Sequence, residues 1–508
     1  MRPRPVLSFL LPVVLAGCAG APVPPAAEPR AITIEPAIES INAADVARRI
    51  AFLASDDLKG RDTPSPGLEA AVAYAAAEFR SFGLQPAGDD GTFVQRYAFD
   101  ASGLDRGAVL FEVRAGAGAS RLTFGTDYFV VPAAIDSAVG SPIFLGPARP
   151  GVLAPSAAAG RPVVFFVTDT ASAAWQGMVG AALQSAVAAR ASAAVLVMPP
   201  DFSEATMAML ADQLAGQVLP VAMPLVGVTY SAARAFFQQA GIDLDGMRSS
   251  TEPTPMPDVT LAIRTPIAGS TVEAPNVVAV LPGSDSALSR EYIVFTAHID
   301  HVGVGSPDES GDSIYNGADD DASGTSAVLE IAEAFARLER RPARSVMFVL
   351  VSGEEKGLLG SKAFVADPPV PVGQMAANIN MDMIGRNAPD TVVAIGVDYS
   401  SLGPSVRAVA AAHPELGLTV APDLWPDEQL FFRSDHFSFA AMEVPAIFFT
   451  TGLHDDYHQP SDEPETIDND KVTRIARLLF RYAHELASAA DRPQWTEEGL
   501  AEVRRATR

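Results

Sequence analysis

Tyr292-Ile293-Val294-Phe295-Thr296-Ala297-His298-Ile299-Asp300-His301 sets an apolar run directly against imidazole and carboxylate side chains. A short run rich in β-branched and aromatic residues reads as a buried strand, so the polar residues stand at its carboxyl end. The same order recurs downstream. Ser345–Val351 runs into Ser352-Gly353-Glu354-Glu355-Lys356-Gly357, and Ala376–Met381 runs into Asp382. Further strands are read at 277–281, 391–397 and 445–450, and helices at 323–338, 400–412 and 470–490. Val328, Ile331, Phe335 and Leu338 give the first of these helices one apolar face. Strands alternating with helices predict an α/β fold, a mostly parallel central sheet with helices on both faces. Such sheets gather ligands outside the carboxyl ends of their strands.

Two more groups belong to that rim. Gly317-Ala318-Asp319-Asp320-Asp321-Ala322-Ser323-Gly324 opens a helix, and Asp456-Tyr457-His458 follows the last strand. Separate connections thus deliver His298, Asp320, Glu355, Asp382 and His458 to one place. Imidazoles and carboxylates in this mixture suit a pair of zinc ions. Two such ions close together lower the pKa of a water to near neutrality. One carboxylate must bridge them, and each ion then takes an imidazole and a further carboxylate. A carboxylate beside the water but off the metal is needed as general base. The adjacent Glu354 and Glu355 suit that division. Asp319 and Asp321 compete with Asp320 for the bridge on composition alone; their other reading is loop solvation and charge compensation at a helix N-terminus.

Together these motifs resemble the di-zinc aminopeptidase group of metallopeptidase family 28, which also contains glutamate carboxypeptidases. The resemblance covers residues 40–130 and 256–485 and implies the phosphorylase/hydrolase-like zinc exopeptidase fold. It implies His298 and Asp382 on one zinc, Glu355 and His458 on the other, and Asp320 as bridge. Glu354 would be the base and proton shuttle, and Asp300 would orient the His298 imidazole. The implied activity is removal of N-terminal residues from peptides; a carboxypeptidase or dipeptidase on the same centre is the alternative. Ser434-Asp435-His436 resembles a family segment near the active site, so Asp435 and His436 are expected to support ligands or touch substrate. A polar helix start is their competing reading. Tyr457 either hydrogen-bonds the tetrahedral intermediate or is structural. His301 and His454 are expected at the surface or behind the ligands rather than on metal. Arg386 and Arg433 are the cations near the cluster, able to pair with ligand carboxylates or a substrate terminus; sequence does not separate them. His413 and His484 read as ordinary helix residues.

The chain before residue 130 carries helical periodicity at Ala44, Val46, Ile50 and Leu53 and again over 70–82, around a Gly/Pro-punctuated loop at 57–67. Residues 37–129 are read as the first part of the peptidase domain and 256–490 as its second part, with 491–508 as a tail. Between them, residues 130–255 show strands at 162–167 and 193–198, a helix at 177–191, a segment at 219–224 and a helix at 231–239. This pattern resembles the protease-associated (PA) domain inserted into some zinc peptidases; a purely structural lobe is the competing reading. Thr251 to Asp258 is the expected return linker.

At the start, Arg2 and Arg4 precede the short apolar stretch Val6–Val14, in the manner of an export signal too short to span a bilayer. Leu15-Ala16-Gly17-Cys18 resembles the lipobox of bacterial lipoproteins, which implies a signal peptide at 1–17, cleavage before Cys18 and a lipid anchor there. A plain cleaved signal is the alternative. Residues 18–36, rich in Ala and Pro, read as a tether. Ala19 resembles the pattern sorted to an outer membrane, so the expected location is the outer membrane of a Gram-negative bacterium, facing the periplasm. Cys18 is the one cysteine in 508 residues, so no internal disulfide forms. The net charge of −25 disfavours nucleic acid as a partner. Peptides and a membrane are the partners expected.

Overall fold

The computed structural model of the chain describes residues 33–507, apart from 102, 117, 132, 134, 150–155, 169–173, 216–222, 249, 251, 306 and 309. Cys18, residues 1–17 and most of the 18–36 tether lie outside the described residues.

The apolar runs assemble into one mixed sheet. Its strands follow the order Gln85–Pro86, Thr271–Leu281, Ser345–Val351, Tyr292–His298, Met375–Met381, Ala446–Thr450, Thr391–Ile395 and Thr419–Ala421, and Val94–Asp100 also pairs with Thr271–Leu281. The middle strands, from Ser345–Val351 across to Ala446–Thr450, run parallel. Antiparallel pairs flank them on both sides.

Side chains alternate across a strand, so each strand feeds two cores. Ile293, Phe295, Val346, Phe348 and Leu350 pack on one face with the helices Ala43–Leu53, Pro66–Ser81, Gly324–Ala336, Leu402–Ala412 and Asn469–Ser488. Val294, Met347, Val349 and Val351 face the other way, onto Phe364 and Phe439 from the helices Leu359–Ala366 and His436–Ala441. This is the two-faced α/β arrangement that the periodicity predicts.

The helix Gly324–Ala336 departs from its predicted single apolar face. Glu330 on it is fully buried along with Val328, Ile331 and Phe335. The reason is a second layer of helices outside it. Arg49, itself buried, pairs with Glu330 and reaches Glu78 at 2.9 Å and Glu333 at 3.0 Å, which keeps the buried charge partnered.

The chain leaves the main sheet after Asp100 and rejoins it at Thr271. Between these points it forms a lobe with sheets of its own, one ordered Thr254–Pro255, Ile143–Pro147, Pro162–Phe166, Ala193–Val197, Leu225–Val228, Tyr128–Val131, the other Gly118–Arg121, Leu110–Ala115, Val259–Arg264, Ser137–Gly140. The lobe is therefore wider than residues 130–255, because Leu110–Ala115 pairs along its length with Val259–Arg264. Those strands are only half buried: Phe111 and Val113 point inward while Arg114 is exposed. Their alternation gives a weaker sequence signal than Pro162–Phe166, where every residue is buried. The predicted segment 219–224 lies largely outside the described residues, and the strand there is Leu225–Val228.

The predicted tail at 491–508 carries a helix, Glu497–Ala506. Val503 is buried against Phe431 and Phe448, and the Trp495 indole N–H donates to the Glu443 carbonyl at 2.8 Å. Among the described residues no helix is long and apolar enough to cross a membrane.

Candidate metal centre

Asp320 stands between two imidazoles. His298 Nε2 lies 3.1 Å from Asp320 Oδ1 and 3.6 Å from Asp382 Oδ1. On the opposite side, His458 Nε2 lies 3.1 Å from Asp320 Oδ2 and 3.0 Å from Glu355 Oε2. The two oxygens of one carboxylate thus face two separate groups of ligand atoms, each compact enough to hold an ion. Glu354 adjoins both, forming a further group with His298 and Glu355.

The donors fit a metal. His458 Nε2 and Glu355 Oε1 are buried and make no well-directed hydrogen bond, and neither does either ring nitrogen of His301. Buried polar atoms left this way call for another partner. The electrostatics agree. Burial works against the Asp320 carboxylate, yet the neighbouring His298 and His458 hold it well below the usual range. Burial likewise opposes charge on His458, but Asp320 and Glu355 push it up to about 10. Burial raises Glu354 well above the usual carboxylate range, and Asp435, Glu355 and Asp382 add to the rise. A surplus of carboxylates in a small buried space is a field that a divalent cation satisfies.

The acidic turn explains why Asp320 alone is free. Gly317 has φ +61°, and a Cβ there would sit 2.3 Å from the Asp320 carbonyl oxygen and 2.5 Å from the His301 ring. The chain then makes a wide turn over Ala318–Ser323, with a cis peptide between Asp320 and Asp321. Asp321 accepts from the backbone N–H of His298 at 3.2 Å, Gly324 at 2.9 Å and Met383 at 3.2 Å. Asp319 accepts from Gly385 N–H at 2.6 Å and lies 3.3 Å from His454 Nε2. Both flanking acids are fully buried, which rules out the solvated-loop reading: a buried turn needs acceptors for its N–H groups. Asp462, which sequence gave no reason to single out, accepts from the N–H groups of Asp319 and Asp320 at 3.0 and 3.1 Å. Burial, then Asp319, pushes Asp462 up to about 6.

Asp300 meets the His298 ring first through its main chain. His298 Nδ1 lies 3.2 Å from the Asp300 main-chain carbonyl but 3.7 Å from its carboxylate, so the backbone sets the ring. The carboxylate instead accepts from the Thr63 hydroxyl at 2.9 Å and from Glu354 N–H at 3.4 Å. Thr63 in turn accepts from Gly353 N–H at 3.0 Å. Thr63 and Asp300 together hold the turn that carries Glu354 and Glu355. Arg61, also buried, ties this side down by donating to the carbonyls of Ile299, Asn316 and Gly317 at 2.9, 2.8 and 3.0 Å. Burial draws its guanidinium down to about 10.

The Ser434-Asp435-His436 segment divides. Ser434 donates to Asp382 Oδ2 at 2.7 Å and accepts from the Asn380 amide at 2.8 Å, so it orients a candidate ligand. Asp435 is fully buried nearby, and burial pushes it up to about 7. His436 reaches no ligand. Its ring stacks on Phe448 at 5.0 Å and meets Phe431 edge-on at 4.9 Å, and burial drops it to about 3. The apolar residues around it, far apart in sequence, give it an aromatic role.

His301 and His454 are both buried. His301 Nδ1 lies 2.8 Å from Glu355 Oε1, and its ring offers a candidate ligand atom in one group with Asp320, Glu355 and His458, in place of the surface or supporting position expected for it. Tyr457 stacks on His458 at 3.9 Å. His413 ends its helix beside Glu415, and His484 packs within Asn469–Ser488 against Phe480. A cavity opens at the cluster, lined by Asp320, Glu354, Asp382, Ser434 and Tyr457 with Met383, Leu430, Arg433, Phe448, Thr450, Gly452 and Leu453.

An open α/β sheet with imidazoles and carboxylates gathered at its strand ends defines a protein with a candidate divalent-metal site outside the carboxyl ends of the sheet. Residues 276–483 match the model of Peptidase family M28. A probable leucine aminopeptidase of Arthroderma otae is 27% identical over 224 residues, 42% of this chain and 58% of the relative, so the chain spans little more than half the length of that relative. Two solved structures extend over almost the whole chain. The aminopeptidase from Aneurinibacillus sp. strain AM-1 superposes with a TM-score of 0.56 at 19% identity, over 90% of this chain and 97% of that one. A zinc aminopeptidase from Bacillus subtilis does so with a TM-score of 0.56 at 16% identity, over 88% and 95%. At these identities the likeness establishes the fold.

Proposed function

We propose that this chain is a zinc-dependent exopeptidase that removes N-terminal residues from peptides. The observation that carries the proposal is the divided carboxylate of Asp320, one oxygen toward His298 and the other toward His458. Two zinc ions fit this arrangement, His298 and Asp382 holding one, Glu355 and His458 the other, with Asp320 between. When bound, the ions polarise the scissile carbonyl and acidify water.

The chain's own residues do the rest. Glu354 is left over as a carboxylate beside both groups, with its backbone fixed by Asp300. It takes the proton of the attacking water and passes it to the leaving amine. Tyr457, on the cavity wall beside His458, donates its hydroxyl to the oxyanion that develops. Met383, Leu430, Phe448 and Leu453 line the cavity with apolar surface for a substrate side chain. A carboxypeptidase or dipeptidase is a second reading, favoured by the presence of Arg433 in the same wall.

The test is hydrolysis of one short peptide of four residues, with both ends free, with the N-terminus blocked and with the C-terminus amidated, each with chelator and after zinc is restored. Chelator-sensitive cleavage lost only on N-blocking is the expected result. Loss only on amidation moves the assignment to a carboxypeptidase. The Leu15-Ala16-Gly17-Cys18 motif further supports a chain anchored by lipid at Cys18 and facing the periplasm, with the Leu110-to-Arg264 lobe as a PA-like insert. Fractionation of the full chain expressed in a Gram-negative host tests the anchor; recovery in the soluble periplasmic fraction alone would remove it.

A further inference from the structure

Arg386 and Arg433, equivalent in the sequence, are not equivalent in the fold. Arg386 is committed to its neighbours. Its guanidinium meets Asp456 at 2.6 Å and donates to Thr466 at 2.9 Å, and it is not among the residues that line the cavity. Arg433 lines the cavity with Asp320, Glu354 and Asp382, and is the one basic residue among the described residues that do so. It immediately precedes Ser434, whose hydroxyl holds Asp382, so it is anchored one residue from the candidate metal centre.

Its present partner is weak. Arg433 pairs with Glu428 at 3.3 Å, and the two side chains are 43% and 55% exposed. An exposed pair of that kind contributes little and yields readily to a better anion. The planar guanidinium matches a carboxylate with two parallel hydrogen bonds. Every other charged residue on the cavity wall is acidic, so a substrate's negative end has one favourable place to go.

We propose that Arg433 binds the free α-carboxylate of the residue that follows the scissile bond, so that dipeptides are the preferred substrate class. This rests on the zinc exopeptidase reading of the same cavity. The carboxylate would replace Glu428 on the guanidinium, and the bond to be cleaved would then lie toward Glu354 and Asp320. Arg433 takes no proton and forms no covalent bond in this role; it selects and positions.

The experiment compares a dipeptide with its C-terminal amide, using the full chain with zinc restored, as the wild type, Arg433→Ala and Arg433→Lys. An amino-acid p-nitroanilide, which has no carboxylate, is included with and without chelator as a separate reading of the chemistry. The wild type is expected to favour the acid over the amide by about ten- to a hundredfold in kcat/KM, the value of a charge-assisted bond. In Arg433→Ala that ratio falls to near one, and Arg433→Lys keeps part of it. A wild type that cleaves acid and amide equally overturns the proposal, as does an Arg433→Ala enzyme that keeps the preference. Should Arg433→Ala fail to fold, the wild-type ratio and Arg433→Lys decide. Anilide cleavage that is chelator-sensitive while the acid-to-amide ratio is one removes the Arg433 assignment alone. No cleavage of any substrate removes the exopeptidase reading and this one with it.

Discussion

On the His298 side of Asp320, both companions come from the ends of parallel strands; on the His458 side, one comes from a strand-end turn and the other from a loop. His298 terminates Tyr292–His298 and Asp382 follows Met375–Met381, and each has a fixed partner, the Asp300 carbonyl for the ring and the Ser434 hydroxyl for the carboxylate. His458 lies eight residues past Ala446–Thr450, at φ +54°, with its side chain 34% exposed against 1% for His298. Its ring is braced by stacking on Tyr457. The sheet preorganises one half of the centre and loops complete the other. With the two zinc ions proposed above, the His458 half is expected to give up its metal first under a chelator.

Asp320→Ala is the strongest way to break the comparison, since it removes the residue common to both halves. Both metals should be lost and chelator-sensitive hydrolysis should vanish, as measured by metal content and activity on the same protein. An Asp320→Ala enzyme retaining two metals per chain would show that the halves are independent.

Glu354→Gln leaves both halves standing and takes away only the proton carrier. Turnover should fall by about 10²–10⁴-fold in kcat while metal content stays at the wild-type level. Loss of metal alongside activity would make Glu354 a ligand and cancel its assignment as base.

Ser434→Ala sharpens the contrast because it touches one half only. Removing a hydroxyl that orients a ligand carboxylate should cost about 10–100-fold in metal affinity at the His298–Asp382 side. Competition with a chelator of known affinity, resolved into two phases, reads it. Equal weakening of both phases would mean that the halves are mechanically coupled through Asp320.

What the sequence disclosed and what it hid follow the same division. The strands at 292–298, 345–351 and 446–450 are continuous apolar runs, legible because they are covered on both faces. Ligand candidates at their carboxyl ends were legible for the same reason, since the end of a run marks a place in the fold. Arg61, Thr63 and Asp462 carry no such mark. They reach the centre from positions 142 to 290 residues away along the chain, by hydrogen bonds mostly to backbone groups that no local pattern encodes. Asp319 and Asp321 were inseparable from Asp320 by composition, because what distinguishes them is the direction each carboxylate takes in a tight turn. The lobe boundaries were hidden by half-buried strands, whose alternation spreads a weak signal over more residues.

His436 provides the smallest effect and a check on the aromatic wall behind the cavity. It is fully buried against Phe431 and Phe448, and burial holds it at about 3, against about 6.5 for an exposed imidazole. Between those values the unfolded chain binds a proton that the folded chain refuses. Stability from this group is therefore complete above about pH 6.5 and declines as the pH falls toward 3, by about 1.4 kcal/mol per pH unit. His436→Phe keeps a ring in the cluster and abolishes that term. Relative to the variant, the wild type should be about 1.4 kcal/mol less stable at pH 5.5 than the same comparison gives at pH 7.5. Urea unfolding of both proteins at the two pH values measures it. A difference between wild type and variant that does not change with pH would mean His436 takes up its proton in the folded state, and the ring would then face water or an acid rather than the two phenylalanines.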